Sequence, residues 1–205
     1  MAGPDYSEEA ALAAQGLIPL CGVDEAGRGP LAGPVVAAAV ILDAQAIPEG
    51  LQDSKKLTEA KREALFPHIM AKALVGIGIA DAARIDEDNI LQATLWAMEQ
   101  AVAQLSQAPR HCLIDGNKIP KGLQGRATAL VKGDGRSVSI AAASIIAKVT
   151  RDRMMKAYGL EFPAYGFDIH KGYGTKAHLQ ALSTHGPCPI HRKSFAPVAS
   201  LLDQN

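Results

Sequence analysis

Apolar residues along this 205-residue chain recur at two different periods, and the chain switches between them several times. Apolar runs at residues 18–23, 35–42, 74–81, 111–114 and 127–131 have the length of buried strands and are bounded by Gly, Pro or a carboxylate. Helix-like segments lie between them. Thr58 is a candidate N-cap for a helix to about Lys72 that turns Leu65, Phe66 and Ile69 inward. Asp88 is the candidate cap of the next, in which Leu91, Leu95, Met98, Val102 and Leu105 follow at spacings of four, three, four and three. Ser137 precedes a third helix over about residues 138–158, whose first turns (Ala141, Ala142, Ala143, Ser144, Ala147) are small enough to lie close against a sheet. A Gly- and Tyr-rich loop (165–175), a short helix to about Thr184 and a tail containing Pro, His and Arg complete the chain. Strands alternating with helices indicate an α/β fold, and the length suits one domain spanning 1–205, with an N-terminal extension of about 1–17 and a C-terminal part from about 160.

The overall charge is zero, with 21 Lys+Arg against 21 Asp+Glu, but the two halves differ. Up to residue 103 there are 7 basic and 15 acidic residues, and beyond it 14 basic and 6 acidic. This asymmetry points to an anionic partner met through one part of the surface. Cys21, Cys112 and Cys188 are widely spaced with no C-x-x-C pair, which suits a reducing cytoplasm. No run is long enough for a membrane span, and the first 14 residues carry no Lys or Arg, so neither a membrane nor a presequence is expected.

Three strand-like runs finish on carboxylates: Asp24-Glu25, Asp115 and Asp134. Strand ends are where α/β sheets build sites, and neighbouring strands lie about 4.8 Å apart, so acids there can converge. Converging carboxylates repel unless hard divalent cations join them, and an oxygen-rich set favours Mg²⁺ or Mn²⁺, with room for two ions. Taken singly, Asp115-Gly116 and Asp134-Gly135 also read as ordinary turns. Asp24 and Glu25 are adjacent and would face opposite ways in a regular strand, so both serve one site only if the strand ends or bulges there. Asp86 and Asp88 lack calcium-loop spacing and read as helix-start residues, and Asp152 sits among Lys148, Arg151 and Arg153 as a local ion-pair partner. Gly27, Gly29 and Gly33 miss the dinucleotide fingerprint in spacing and context. They still leave backbone N–H groups open to an anion or a hydroxyl, beside the charged fork of Arg28.

Several segments together resemble the type 2 ribonuclease H family, in its bacterial branch. They are Val23-Asp24-Glu25-Ala26-Gly27-Arg28-Gly29-Pro30, Asp53-Ser54-Lys55-Lys56-Leu57, Ile114-Asp115-Gly116-Asn117, Lys132-Gly133-Asp134, the stretch 141–152, His170-Lys171-Gly172-Tyr173-Gly174-Thr175 and Pro189-Ile190-His191-Arg192-Lys193-Ser194-Phe195. The resemblance runs from about residue 20 to 198 in the family's order. It implies an RNase H-like fold, a mixed five-stranded sheet flanked by helices with a small C-terminal helical part. It also implies cleavage of RNA in RNA–DNA hybrids and incision 5′ to single ribonucleotides in duplex DNA, with two divalent ions (Mg²⁺ or Mn²⁺) giving 3′-OH and 5′-phosphate ends. The family's metal ligands fall on Asp24, Glu25, Asp115 and Asp134, and its 2′-OH sensors on Gly27, Arg28, Gly29 and Tyr173. Lys55, Lys56, Lys132, Lys171 and Arg192 lie in or beside the motifs and are candidates for backbone phosphates, as is Lys193. His170, His178, His185 and His191 match no zinc spacing with Cys188 and are expected in phosphate or structural roles. A nucleic-acid duplex is the expected partner of a monomeric cytoplasmic enzyme.

Overall fold

The computed structural model describes residues 3–203, so residues 1–2 and 204–205 of the expected 1–205 unit lie outside the described residues. Helix α1 (Ser7–Ala13) leads into strand β1 (Leu20–Ala26), which turns back as β2 (Val35–Leu42). Helix α2 (Glu59–Lys72), strand β3 (Ala73–Ala80), helices α3 (Ala82–Asp88) and α4 (Ile90–Ala103), and strands β4 (His111–Asp115) and β5 (Ala127–Leu130) follow. Helices α5 (Val138–Glu161), α6 (Phe167–His170), α7 (Lys176–His185) and α8 (Ala196–Leu202) complete the described chain. The strands form the expected mixed sheet, in the order β3-β2-β1-β4-β5, with β1 antiparallel to β2 and parallel to β4.

Strand β2 is buried along its whole length because both of its faces are covered. Val35, Ala37, Ala39 and Ile41 belong to the core beneath α4, while Ala38, Val40 and Leu42 belong to the core beneath α5 and α2. Both long helices approach the sheet at glycine. A Cβ on Gly22 would lie 2.1 Å from the Ser139 carbonyl carbon of α5, and one on Gly78 would lie 1.9 Å from the Ala97 oxygen of α4. Helix α4 accordingly seats Ala93, Ala97 and Ala101 on the sheet and leaves Leu91 and Leu95 partly exposed. The alanine-rich start of α5 has the close fit its composition suggested.

Four boundaries differ from expectation. Strand β1 continues past Asp24 to Ala26, because pairing with β2 persists through Ala26↔Val36 after pairing with β4 has stopped at Val23↔Ile114. Asp88 does not cap α4. It closes α3 in a 2.7 Å ion pair with Arg84, and Asn89, at φ 69°, caps α4 by accepting from the N–H groups of Leu91 and Gln92, an arrangement worth about 1 kcal/mol. Asp86 lies inside α3, where its carboxylate accepts from the Lys193 and Ser194 N–H groups and the Ser194 hydroxyl, pinning the C-terminal segment. That segment ends in helix α8 rather than an irregular tail, with Val198 buried.

The N-terminal segment is also tied in. Glu9 is fully buried, and one carboxylate oxygen accepts from the Ser137 hydroxyl, the Ser139 hydroxyl and the Ser139 N–H. A carboxylate at the start of α5 meets the positive end of the helix dipole. Backbone bonds from the Asp5 N–H to the Arg136 carbonyl and from the Val138 N–H to the Asp5 carbonyl complete this clamp. It holds the turn that carries Asp134.

Candidate active site

The register of the two parallel strands brings the first acids together. Because Val23 pairs with Ile114, the next residues, Asp24 and Asp115, come side by side on the α5 face. Asp134 reaches them from the 3₁₀ turn Gly133–Gly135 just before α5, not from a strand end, and the Gly133 N–H donates to Asp115 at 2.7 Å, joining turn to strand. No end or bulge interrupts β1 at Asp24-Glu25, since pairing with β2 runs on through Glu25↔Ala37, so Glu25 leaves the opposite face of the strand from Asp24; it lies past the β4 pairing and forms a 3.3 Å ion pair with Arg28. Three of the four carboxyls are shifted by burial and by neighbouring carboxylates. Burial, then Glu25 and Asp115, hold the Asp24 carboxyl well above the usual carboxylate range. Burial also raises Glu25, with Asp115 adding and Arg28 opposing. Asp134 is raised by burial, then by Asp115 and Asp53. Burial would lower the Lys55 ammonium, but Asp24, Asp134, Asp53 and Asp115 outweigh it and raise it.

Beside the acids opens a cavity of about 560 Å³, walled by Glu25, the 27–29 backbone, Lys55, Ser144 and Tyr173. Gly27 and Gly29 have different reasons to be glycine. At Gly27 φ is +98°, and a Cβ would sit 2.0 Å from the Arg151 Nε; at Gly29 it would meet only the Tyr173 Cε1, at 3.7 Å. The Tyr173 ring thus borders the Gly29 backbone, half-exposed at the cavity mouth. Two buried arginines hold this wall in place. Arg151 donates to the carbonyls of Pro34, Ala32 and Lys171, and Arg192 to those of Gly33, Arg28 and Gly27. Burial pushes the Arg151 guanidinium down to about 10, and burial with the Arg151 charge pushes Arg192 down to about 9.

A family profile described as Ribonuclease HII matches residues 21–198. The chain belongs to the ribonuclease HII family. The ribonuclease HII of Sinorhizobium fredii is 58% identical over 201 residues, covering 98% of this chain and 87% of that one. Among solved structures, the ribonuclease H2 of Pyrococcus horikoshii superposes with a TM-score of 0.76 at 26% identity, covering 90% of this chain and 97% of that one. Bst-RNase HIII in complex with Mn²⁺ gives 0.72 at 24% identity, covering 95% and 73%. As a ribonuclease HII, the chain is a type 2 ribonuclease H, a nuclease.

In this ribonuclease HII the candidate cations part company. Lys55 feels the charges of Asp24, Asp134, Asp53 and Asp115, whereas Lys56 and Lys132 are simply exposed. Lys171 adopts a left-handed backbone (φ 51°) whose carbonyl accepts from Arg151, and its ammonium turns to the Asp168 carbonyl. Arg192 is the clear correction: at 0% exposure it cannot reach a phosphate, since its guanidinium is consumed by three backbone carbonyls. Asp152 has its expected ionic role, 2.5 Å from Lys148. Sequence reasoning missed Asp53 and Ser144. Asp53 adds to the upward push on the Asp134 carboxyl, and Ser144, buried on α5, donates to the Ser54 hydroxyl at 2.7 Å and opposes the upward push on Asp24. Asp53 lies in a motif whose lysines are the conspicuous residues, and Ser144 lies in a run of small residues at S-x-x-x-K spacing from Lys148, which matches no serine-enzyme motif.

Proposed function

We propose that this ribonuclease HII cleaves the RNA strand of RNA–DNA hybrids and incises duplex DNA 5′ to a single ribonucleotide. The observation that carries this reading is that one cavity is walled together by Glu25, the Gly27–Gly29 backbone and the Tyr173 ring, with the buried Asp24 next to Glu25 in the chain. Asp24, Glu25, Asp115 and Asp134 fit divalent cations: they are oxygen donors, and the charges of Asp24, Glu25 and Asp134 are disfavoured as they stand. Two Mg²⁺ or Mn²⁺ ions held there would supply activation of the attacking water and neutralisation of the leaving oxygen. Bst-RNase HIII, a fold neighbour, binds Mn²⁺.

The chain's own groups account for selection. The 2′-OH distinguishes ribose from deoxyribose, and the backbone at Gly27 and Gly29 can approach it without an intervening side chain. Tyr173 offers a hydroxyl to the same sugar and a ring face to the next. Arg28 and Lys55 flank the cavity as phosphate partners. On this two-metal reading water opens the P–O3′ bond, leaving 3′-OH and 5′-phosphate ends.

The test is nicking of a DNA duplex with one embedded ribonucleotide. Cleavage should require Mg²⁺ or Mn²⁺, stop in EDTA, and be lost in Asp24→Asn and Asp134→Asn. Equal cutting of all-DNA duplex would replace this reading with a nuclease indifferent to ribose, and hybrid binding in EDTA without cutting in any metal would replace it with a binding module.

A further inference from the structure

The C-terminal histidines are not at the catalytic cavity, yet they form an ordered chain that ends at it. His178 and His191 are 0% and 1% exposed, and their Nε2 atoms lie 3.0 Å apart. At one end, the Cys188 N–H donates to the His191 Nδ1 at 3.0 Å, with the Cys188 thiol sulfur 3.1 Å from the same nitrogen. At the other, the His178 Nδ1 lies 3.0 Å from the Tyr173 carbonyl oxygen.

Both ends fix the protons independently. A backbone N–H can only donate, so the His191 Nδ1 carries a lone pair and its proton is on Nε2. A carbonyl can only accept, so the His178 proton is on Nδ1 and its Nε2 carries the lone pair. These two deductions meet at the central contact, where His191 Nε2–H donates to His178 Nε2 without conflict. An added proton on either ring would oppose two donors. His170 stacks on His178, centroids 4.5 Å apart, and is oriented by the same logic: the Gly172 N–H donates to its Nδ1, and its Nε2–H donates to the Tyr165 carbonyl. Facing the pair are this third imidazole, the Cys188 thiol, and the Tyr165 and Phe167 rings. Among the described residues no carboxylate is hydrogen-bonded to either ring, and burial, outweighing the backbone groups that favour the charged form, lowers both.

We infer that His178 and His191 are positioning residues that set the backbone of Tyr173, and through it the ribose selectivity of the cavity. The polarity of the chain runs from Cys188 to Tyr173, so the tail 188–191 determines where the Tyr173 carbonyl stands. The Thr175 N–H meets the same carbonyl at 2.7 Å, which leaves the Tyr173 peptide little freedom. The ring it carries is the one bordering Gly29. This inference rests on the proposed role of Tyr173 in sensing the 2′-OH.

Two measurements test it. In the full-length ¹⁵N-labelled protein at neutral pH, imidazole nitrogen shifts should show His191 protonated at Nε2 only and His178 at Nδ1 only; the reverse tautomers, or a doubly protonated ring, would overturn the relay. In kinetics, His178→Leu should lower kcat/KM on the embedded-ribonucleotide duplex as Tyr173→Phe does, with binding to all-DNA duplex unchanged. The double variant should fall within about twofold of the worse single one, because the two act through one contact. His178→Asn, which keeps a donor near the Nδ1 position, should recover most of the loss and provides the folded control if the leucine variant does not fold. Multiplicative losses in the double variant, or wild-type selectivity in His178→Leu, would overturn the positioning role. If Tyr173→Phe itself retained full selectivity, the ribose reading of Tyr173 would fall and the inferred control of selectivity with it, while the nitrogen shifts would still decide the relay.

Discussion

Replacing Gly29 by alanine adds one methyl group to the cavity wall, and replacing Gly27 by alanine adds one two residues earlier; the two changes should fail in opposite ways. At Gly29 the new Cβ meets only the Tyr173 ring edge at 3.7 Å, an ordinary van der Waals distance, and the backbone is outside the left-handed region. Folding should therefore change by no more than about 0.5 kcal/mol, a Tm shift within about 2 °C for a chain of this size. On the proposed function, however, the methyl would stand where the ribose approaches the backbone. Loss of one hydrogen bond with its donor left unpaired costs about 1–3 kcal/mol, or roughly 5- to 150-fold in kcat/KM. At Gly27 the Cβ would sit 2.0 Å from the Arg151 Nε and 2.7 Å from the Pro34 carbonyl, at a φ of +98°. Left-handed strain of about 1–3 kcal/mol and overpacking of a similar size should lower Tm by several degrees and loosen the carbonyls that Arg151 holds. The assay pairs thermal melts with nicking of the embedded-ribonucleotide duplex. A Gly29→Ala enzyme with parental kcat/KM would mean that no sugar comes close to that backbone, and a Gly27→Ala protein with parental Tm would mean that Arg151 does not pack there as described.

Other outcomes follow from the same geometry. The folded Asp24 carboxyl is raised, so in EDTA the parent should lose stability as pH rises above the unfolded carboxylate value of about 3.9; Asp24→Asn should be more stable than the parent in urea at pH 7, yet at least about a hundredfold less active with metal. His191 is pushed from 6.5 down to about 4 by burial and then His178. The unfolded chain takes up that proton first, so stability is full above pH 6.5 and falls by about 3 kcal/mol by pH 4; acid unfolding of His191→Asn should be correspondingly flatter. Lys55→Ala should reduce the slope of log affinity against log salt by about 0.9, the signature of one lost phosphate contact. Arg192→Lys should leave that slope unchanged and lower Tm, because a single ammonium cannot serve three diverging carbonyls and each one left unpaired costs about 1–3 kcal/mol.

Local information made some elements readable and hid others. Strand β2 and helix α2 have the residues expected at both ends, because Gly33-Pro34 and Thr58 stop and start the chain by backbone chemistry alone. The break between α3 and α4 was invisible, since it depends on Asn89 adopting a positive φ within what reads as one acidic helix start. Asp24, Glu25, Asp115 and Asp134 could be picked out because acids beside buried runs are conspicuous, but the sequence could not supply the register, Val23 against Ile114, that makes Asp24 and Asp115 neighbours. Arg192 misled because a basic residue in a loop looks like a phosphate ligand. Its partners are carbonyls about 160 positions away, which no local pattern encodes.

The two arginines also give the enzyme an order of completion. A chain made from its N-terminus has all four acids and the 27–34 loop by residue 134, but Arg151, Tyr173 and Arg192, which fix and face that loop, are added later. During synthesis the four acids of the proposed hydrolytic centre therefore precede Tyr173, the proposed contact to ribose. A chain ending after residue 160 would keep the Arg151 bonds to Ala32 and Pro34 but lack Arg192 and Tyr173, so on the proposed function its selection of ribose would be incomplete.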